Sequence, residues 1–316
     1  SFSISHGTPT VLLGSCFSNN IGSKLQDHYY PTLVNPHGIV FNPVSLARLV
    51  ANSLTNKTFK LDDADNVAKN GNFYSYHHHS QISSNSKNGL LRLIERKNEE
   101  LKAELAKAKT LFITLGTSWV YELKSTGHVV ANCHKTPSIN FNKRLLNVAE
   151  IENSLRLLVE LCKSFSPSLQ IVFTVSPVRH IKDGIAENQI SKSLLFSALN
   201  SVVPFEEKCH YFPSYELVMD DLRDYRFYEK DLIHPNEQAI DYIWEKFEKV
   251  FFNSETLIVH KQIVKLKAAL RHKVMSGDNE ELKKFVGASV NLCNNIESKA
   301  DINLAAEKQY FQNLIA

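Results

Sequence analysis

The chain has 316 residues, 43% of them apolar and 22% charged, with a formal net charge of +3. Those values belong to an ordinary globular protein that hides about three quarters of its unfolded surface; they exclude a disordered chain, a collagen and a disulfide scaffold as overall descriptions. With 36 Lys and Arg against 33 Asp and Glu, nucleic acid or anionic lipid is not the expected main partner.

In chain order, short apolar runs alternate with helical patterns. Val11–Leu13 reads as a strand ending in Gly14-Ser15, and Phe17–Tyr29 as a helix with Ile21 and Leu25 four apart. Thr32–Val34 is a second strand, and Pro43–Leu54 a helix with proline at its start, where the missing N–H does no harm. Leu111–Leu115 and Ile171–Val175 are further strands, closed by Gly116 and by Ser176-Pro177. Glu150–Cys162 and Glu187–Val203 are helical, and Tyr211-Phe212 is a short fifth strand. Asn236 caps a helix through Val250, with Ile240, Ile243, Trp244 and Phe247 on one face. Continuous apolar strands between helices imply a parallel sheet covered on both faces, an open α/β sandwich.

Two stretches fall outside this frame. Lys57–Gly89 is polar and reads as an insertion or long loop; Trp119–Asn147 reads as irregular. Leu91–Lys109 is a charged helix with a solvated face. Beyond Asn253 the pattern is helical, through Ile258–Lys273 and Glu280–Ser298. The expected organisation is an α/β domain over residues 1–254, with the polar insertion at 57–89, and a helical extension over 255–316. Cys16, Cys133, Cys162, Cys209 and Cys293 are scattered without a CxxC pair, so neither a zinc ribbon nor a thioredoxin motif is supported, and free thiols are expected. No apolar run reaches the ~18–20 residues of a membrane span, and Ser1–Thr10 has no signal-peptide pattern. A cytoplasmic location is therefore expected; the sequence leaves the oligomeric state open.

In an open α/β sheet, ligands bind beyond the carboxyl ends of the strands. Ser15 stands there, before a helix whose first N–H groups favour an anion. It reads either as a nucleophile or as a helix cap. Asp231, three residues before His234, can accept from the imidazole Nδ1–H in a turn and leave Nε2 free as a base. Alone, such a DxxH is also an ordinary turn. A serine at the end of the first strand together with DxxH before the last helix of the α/β region is more specific than either.

That placement resembles the SGNH (GDSL-like) hydrolase superfamily, and within it the GSCFA family, whose naming motif stands here as Gly14-Ser15-Cys16-Phe17-Ser18. Further matching stretches are Asn35-Pro36-His37-Gly38, Leu115-Gly116-Thr117, Val130–Lys135, Ser176-Pro177-Val178-Arg179-His180, Asp224–Tyr228 and His234-Pro235; together they cover about residues 9–252. The resemblance implies a three-layer α/β/α flavodoxin-like (SGNH hydrolase-like) fold with a C-terminal helical extension, and ester hydrolysis by a Ser-His-Asp triad. Ser15 falls on the nucleophile, His234 on the base, Asp231 on its orienting carboxylate, and the Ser15 and Gly38 amides on the oxyanion hole. Gly14 stands where the superfamily has Asp, and its third-block Asn has no equivalent after Gly116-Thr117; Thr117, Asn132 or His134 are the residues at hand to replace it.

His37, His78, His134, Arg179 and His180 are the expected substrate-binding residues. His77-His78-His79 reads as a loop lining the substrate mouth, since adjacent histidines in an extended segment cannot converge on one ion. Arg179 is alternatively an ion-pair partner of Asp183 or Glu187, and Cys16 a small buried residue. No metal and no cofactor is expected. The expected reaction is hydrolysis of a small acyl ester, an O-acetyl group on a carbohydrate, with activity rising as His234 loses its proton. Acyl transfer to a sugar or lipid hydroxyl uses the same triad, and a catalytically weak carbohydrate-binding module is the third reading.

Overall fold

The computed structural model describes residues 2–55, 65–272 and 279–315. These group into two compact units: one comprises Pro9–Ser23 and Thr32–Ile243, the other Ser1–Thr8, Lys24–Pro31 and Trp244–Ala316.

The first unit holds the central sheet. Strand β1 (Thr10–Gly14) leads into helix α1 (Cys16–Asp27), β2 (Thr32–Val34) into α2 (Pro43–Leu54). After β3 (Asn66–Lys69), β4 (Asn72–Ser75) and β5 (Ser83–Ser84), α3 (Lys87–Lys107) leads to β6 (Thr110–Leu115). Then come β7 (Trp119–Leu123), β8 (Val129–Val130), β9 (Phe141–Leu145) and α4 (Val148–Phe165). β10 (Gln170–Val175) precedes α5 (Ile185–Val202), β11 (Cys209–Tyr211), the short α6 (Ser214–Glu216) and α7 (Glu237–Phe251).

Five parallel strands lie in the order β11-β10-β6-β1-β2. Counted along the chain this is 2-1-3-4-5, the flavodoxin-like winding, whose order reverses between β1 and β6. All residues of β1 and β6 are buried, as two-sided cover requires. Leu101, Leu105, Ile151, Leu155 and Leu199 share the core with Val11, Ile113 and Phe173. The chain is therefore a three-layer α/β/α protein with further helices at its C-terminus.

The polar stretch 57–89 is not simply a loop. Residues 56–64 lie outside the described residues, but β3, β4 and β5 pair antiparallel, with Asn70-Gly71 at the hairpin tip at φ 52° and 76°. Positive φ at both central residues is the type I′ requirement that Asn-Gly meets. The stretch 119–147 likewise contains an antiparallel sheet, β8-β7-β9, with Tyr121 opposite Val130 and Trp119 opposite Leu145.

In the second unit, α8 (Ser254–Arg271), α9 (Asn279–Glu297) and α10 (Ala305–Asn313) close around Ile263, Leu266, Cys293, Ile296, Leu304 and Phe311. Among the described residues no helix is long and apolar enough to cross a membrane. All five cysteines are free.

Candidate active site

The topological switch point brings Gly14-Ser15, after β1, beside Gly116-Thr117, after β6. Gly14 has φ +133°, and a Cβ built there would stand 2.2 Å from the Thr114 carbonyl oxygen. An aspartate before the serine has no room in this chain, which accounts for that departure from the superfamily pattern. The turn is pinned further by Ser18 Oγ, which contacts the Leu13 carbonyl at 3.2 Å and Thr114 Oγ1 at 2.8 Å. Ser15 is buried, and its Oγ accepts from the Phe17 amide at 3.3 Å.

Asp231 and His234 form a self-contained turn. Asp231 Oδ1 accepts from the Ile233 and His234 amides at 2.8 and 3.0 Å, while Oδ2 lies 2.7 Å from His234 Nδ1. Those hydrogen bonds, led by the His234 amide and ring, hold the Asp231 carboxyl down at about 2. An ionised carboxylate only accepts, so Nδ1 carries the ring proton and Nε2 presents its lone pair. The turn is tied to the end of β10 by the Arg179 amide, which donates to the Ile233 carbonyl at 3.2 Å. Asp231 acts electrostatically on Cys16, the residue after Ser15, and His234 on His180. No hydrogen bond joins Ser15 to His234 among the described contacts.

The amides assigned to the oxyanion hole donate elsewhere: Ser15 N–H to the Thr114 carbonyl at 3.1 Å, Gly38 N–H to the Asn35 carbonyl at 2.8 Å. The Phe17 amide, at the start of α1, donates to Ser15 Oγ, and burial pushes the Cys16 thiol up. Thr117 Oγ1 lies 2.8 Å from Ser191 Oγ and accepts from the Trp119 amide, and Asn132 Oδ1 accepts from the His134 amide.

A cavity of about 380 Å³ opens past the end of β6, and Ser15, Gly38, Asp231 and His234 are not among the residues that line it. Thr117, Asn132 and His180 line it, as do His79, Phe41, Trp119, Tyr121 and Lys143. Lys143 stands 4.7 Å from the Trp119 ring centre and pairs with Asp183. Burial first, then Lys192 and His234, lower His180 to about 4, so it is a neutral imidazole against Phe41.

The remaining predicted residues are placed differently. His37 is fully buried, donating Nε2–H to Asn98 Oδ1 at 2.8 Å, and its burial lowers it to about 4. His78 is buried against Ser75 Oγ at 3.0 Å, and His134 donates Nε2–H to the Ser75 carbonyl at 2.8 Å. None of the three lines the cavity. Arg179 makes no ion pair with Asp183 or Glu187 among the described contacts; its guanidinium lies 4.5 and 5.2 Å from the rings of Tyr228 and Tyr225.

Sequence reasoning missed Lys192. It lies on the inward face of α5 with Asn188, Ser191 and Leu195, fully buried. Its ammonium donates to the Gly116 and Ser176 carbonyls, both at 2.7 Å, joining the ends of β6 and β10. Burial lowers it to about 7. The legible signal was a run of polar residues on the core stripe of a helix.

A sheet wound 2-1-3-4-5 with a serine turn at its switch point and an Asp-His pair before the closing helix is the frame of an α/β protein with its site at the strand ends. The GSCFA family model matches residues 9–247, and the chain belongs to that family. No curated protein matches. Among solved structures, the chain is similar to an acetyl xylan esterase, Est2A, from the rumen bacterium Butyrivibrio proteoclasticus, at 11% identity and a TM-score of 0.38. That match covers 78% of this chain and spans 64% of the esterase's length.

Proposed function

We propose that this protein is a serine ester hydrolase of the SGNH type, acting on a small acyl ester of a carbohydrate, with Ser15 as nucleophile, His234 as base and Asp231 as its orienting carboxylate. The observation that carries the reading is the Asp231–His234 pair at 2.7 Å, tied by backbone to the segment that follows β10. His234 Nε2 takes the Ser15 proton as Oγ bonds to the acyl carbon. The oxyanion so formed would lie near the N-terminus of α1, where the helix dipole favours negative charge, and the Ser15 or Gly38 amide would have to leave its present carbonyl to donate to it. Collapse breaks the bond to the leaving alkoxide, which takes its proton from His234. Water, deprotonated by His234, then attacks the acyl-enzyme and releases the acid and Ser15. Trp119 and Tyr121, with the polar groups of Asn132, Lys143 and Asp183, give the cavity the aromatic wall and hydrogen-bonding edge that a sugar ring needs.

A catalytically weak carbohydrate-binding module is the second reading. What favours it is that the Ser15 and Gly38 amides donate elsewhere and that Ser15 and His234 share no hydrogen bond. The experiment that separates the two is hydrolysis of p-nitrophenyl acetate, butyrate and octanoate by the wild type and Ser15→Ala. Turnover of the acetate that disappears in Ser15→Ala supports the esterase, and a fall along the series supports a small acyl pocket. Equal rates for both proteins favour the binding module. Faster loss of ester when a sugar alcohol is added, with the acyl group recovered on that alcohol, would move the reading to acyl transfer.

A further inference from the structure

Away from the serine site, within the second unit, four titratable or hydrogen-bonding rings meet a carboxylate. His28, Glu248 and His260 come from three separate segments: the turn after α1, α7 and α8. One donor atom from each lies within 4.8 Å of the other two. A tetrahedral zinc ion bound at about 2.0–2.2 Å sets its donors roughly 3.3–3.6 Å apart. Side chains up to 4.8 Å apart would close by up to roughly 1.5 Å, and the Glu248–His260 pair at 2.7 Å would open by somewhat less than about 1 Å.

The hydrogen bonds fix which nitrogens are available. His28 Nδ1 lies 2.8 Å from the Lys24 carbonyl. A carbonyl only accepts, so Nδ1 carries the proton and Nε2 the lone pair. This is the arrangement that orients metal-binding histidines, whose far N–H is held by a carbonyl or carboxylate. His260 sits between two partners, with Nδ1 2.7 Å from Glu248 Oε1 and Nε2 2.7 Å from the Tyr30 hydroxyl. Without an ion, Nδ1–H donates to Glu248 and Nε2 accepts from Tyr30. With an ion on Nδ1 and Glu248, the ring proton moves to Nε2 and donates to the Tyr30 oxygen, so His260 neither gains nor loses a proton overall.

The surroundings suit a bound cation. His260 is 3% exposed on its side chain and Glu248 21%. Phe252 lies edge-on to His260 at 4.6 Å and Trp244 stacks on His28 at 5.2 Å, aromatic packing on one side of a carboxylate that stays partly open to water. Lys267, the cation acting on His28, is paired with Asp27. His6 stacks on Tyr30 at 4.0 Å and lies edge-on to His260 at 5.7 Å; its Nε2 is buried with no hydrogen-bond partner. A buried imidazole lone pair with nothing to accept is a cost that a nearby cation relieves.

A second group, Asp65, His77 and His128, has similar spacing but the opposite chemistry. Arg48 donates to His77 Nδ1 at 2.7 Å, so the proton of a neutral His77 sits on Nε2, the nitrogen that faces Asp65 at 3.1 Å. That nitrogen has no lone pair to give an ion.

We propose that His28 Nε2, Glu248 and His260 Nδ1 form a binding site for zinc or a chemically similar first-row divalent ion, with water completing the coordination. Two imidazoles and one carboxylate are a zinc donor set. Held by three segments, the ion cross-links the turn after α1 to α7 and α8. The test uses the full chain, stripped with EDTA, re-equilibrated with zinc alone, desalted and measured by mass spectrometry for metal and by calorimetry for affinity. The expected result is about one zinc per chain and a thermal midpoint raised by zinc. Cobalt in its place should give the intense visible bands of a tetrahedral N/O site, a readout that needs no variant. His28→Gln and Glu248→Gln, folded by circular dichroism, should each weaken zinc binding at least about 100-fold, more than loss of an outer-sphere partner does. His77→Gln should leave it unchanged. No retained zinc and no cobalt spectrum, or binding that follows His77 instead of His28 and Glu248, overturns the proposal.

Discussion

Replacing Lys192 by methionine should flatten the dependence of stability on pH between 7 and 8.5. The ammonium is fully buried and faces two carbonyls but no carboxylate, and burial lowers it from 10.5 to about 7. In the unfolded chain it titrates at its ordinary value. Above pH 7 the folded protein therefore releases this proton while the unfolded chain keeps it, so the unfolded state binds more protons and stability rises with pH. Below pH 7 both states hold the proton and the full penalty of burying the charge applies. Integrated between pH 7 and 8.5, these two values give the wild type about 1.5 kcal/mol. Lys192→Met has no such proton, so the stability of the wild type relative to the variant should rise by that amount between pH 7 and 8.5. The assay is urea unfolding of both proteins at half-unit pH steps, read as a difference so that the shared titrations of cysteines and tyrosines cancel. Parallel pH profiles for the two proteins would refute the argument and would mean that Lys192 stays charged in the fold.

Other expectations follow from the site. Gly14→Ala should cost at least about 3 kcal/mol, or leave the protein insoluble, because the new Cβ meets backbone that only a shift of β1 against β6 can clear; wild-type expression and melting behaviour would contradict this. Asp231→Asn, at an exposed position, should leave the unfolding curve unchanged and lower kcat by about 10²-fold or more through loss of the oriented base; an unaltered kcat would mean that another group orients His234. Because hydrogen bonding holds the Asp231 carboxyl at about 2, it stays ionised above about pH 4. The acid limb of kcat/KM should accordingly follow one proton, and a two-proton limb would contradict the pairing. Trp119→Ala should raise KM for an acetylated sugar about 10-fold, the worth of roughly 1–1.5 kcal/mol of ring contact, with little change for p-nitrophenyl acetate.

The parallel sheet was legible because each of its longer strands is an uninterrupted apolar run ending in a turn residue, as in LFITL before Gly116 and IVFTV before Ser176. The serine turn and the Asp-His pair were legible because both depend on local spacing. The two antiparallel sheets were not, since their strands are two to five residues long and mix Asn, Ser and Lys among the apolar residues. Asn70-Gly71 was the one local sign of the first. Lys192 was missed for a different reason: a lysine on a helix reads as solvated unless Asn188 and Ser191 on the same stripe are weighed with it, and the convergence of Gly116 and Ser176 makes it a buried donor. His37 and His78 show the reverse. Histidines beside a strand end read as ligand contacts, whereas Asn98, 61 residues away, and Ser75 each hold one ring nitrogen of theirs inside the protein. The cluster of His28, Glu248 and His260 spans more than 230 residues of sequence, beyond the reach of any motif.

The account stands or falls on Ser15. Treatment with a fluorophosphonate, followed by intact mass and peptide mapping, tests it most directly. The account predicts one adduct per chain, located on Ser15, absent from Ser15→Ala and slowed in His234→Ala. An unmodified wild type, or an adduct that persists in Ser15→Ala, would contradict it.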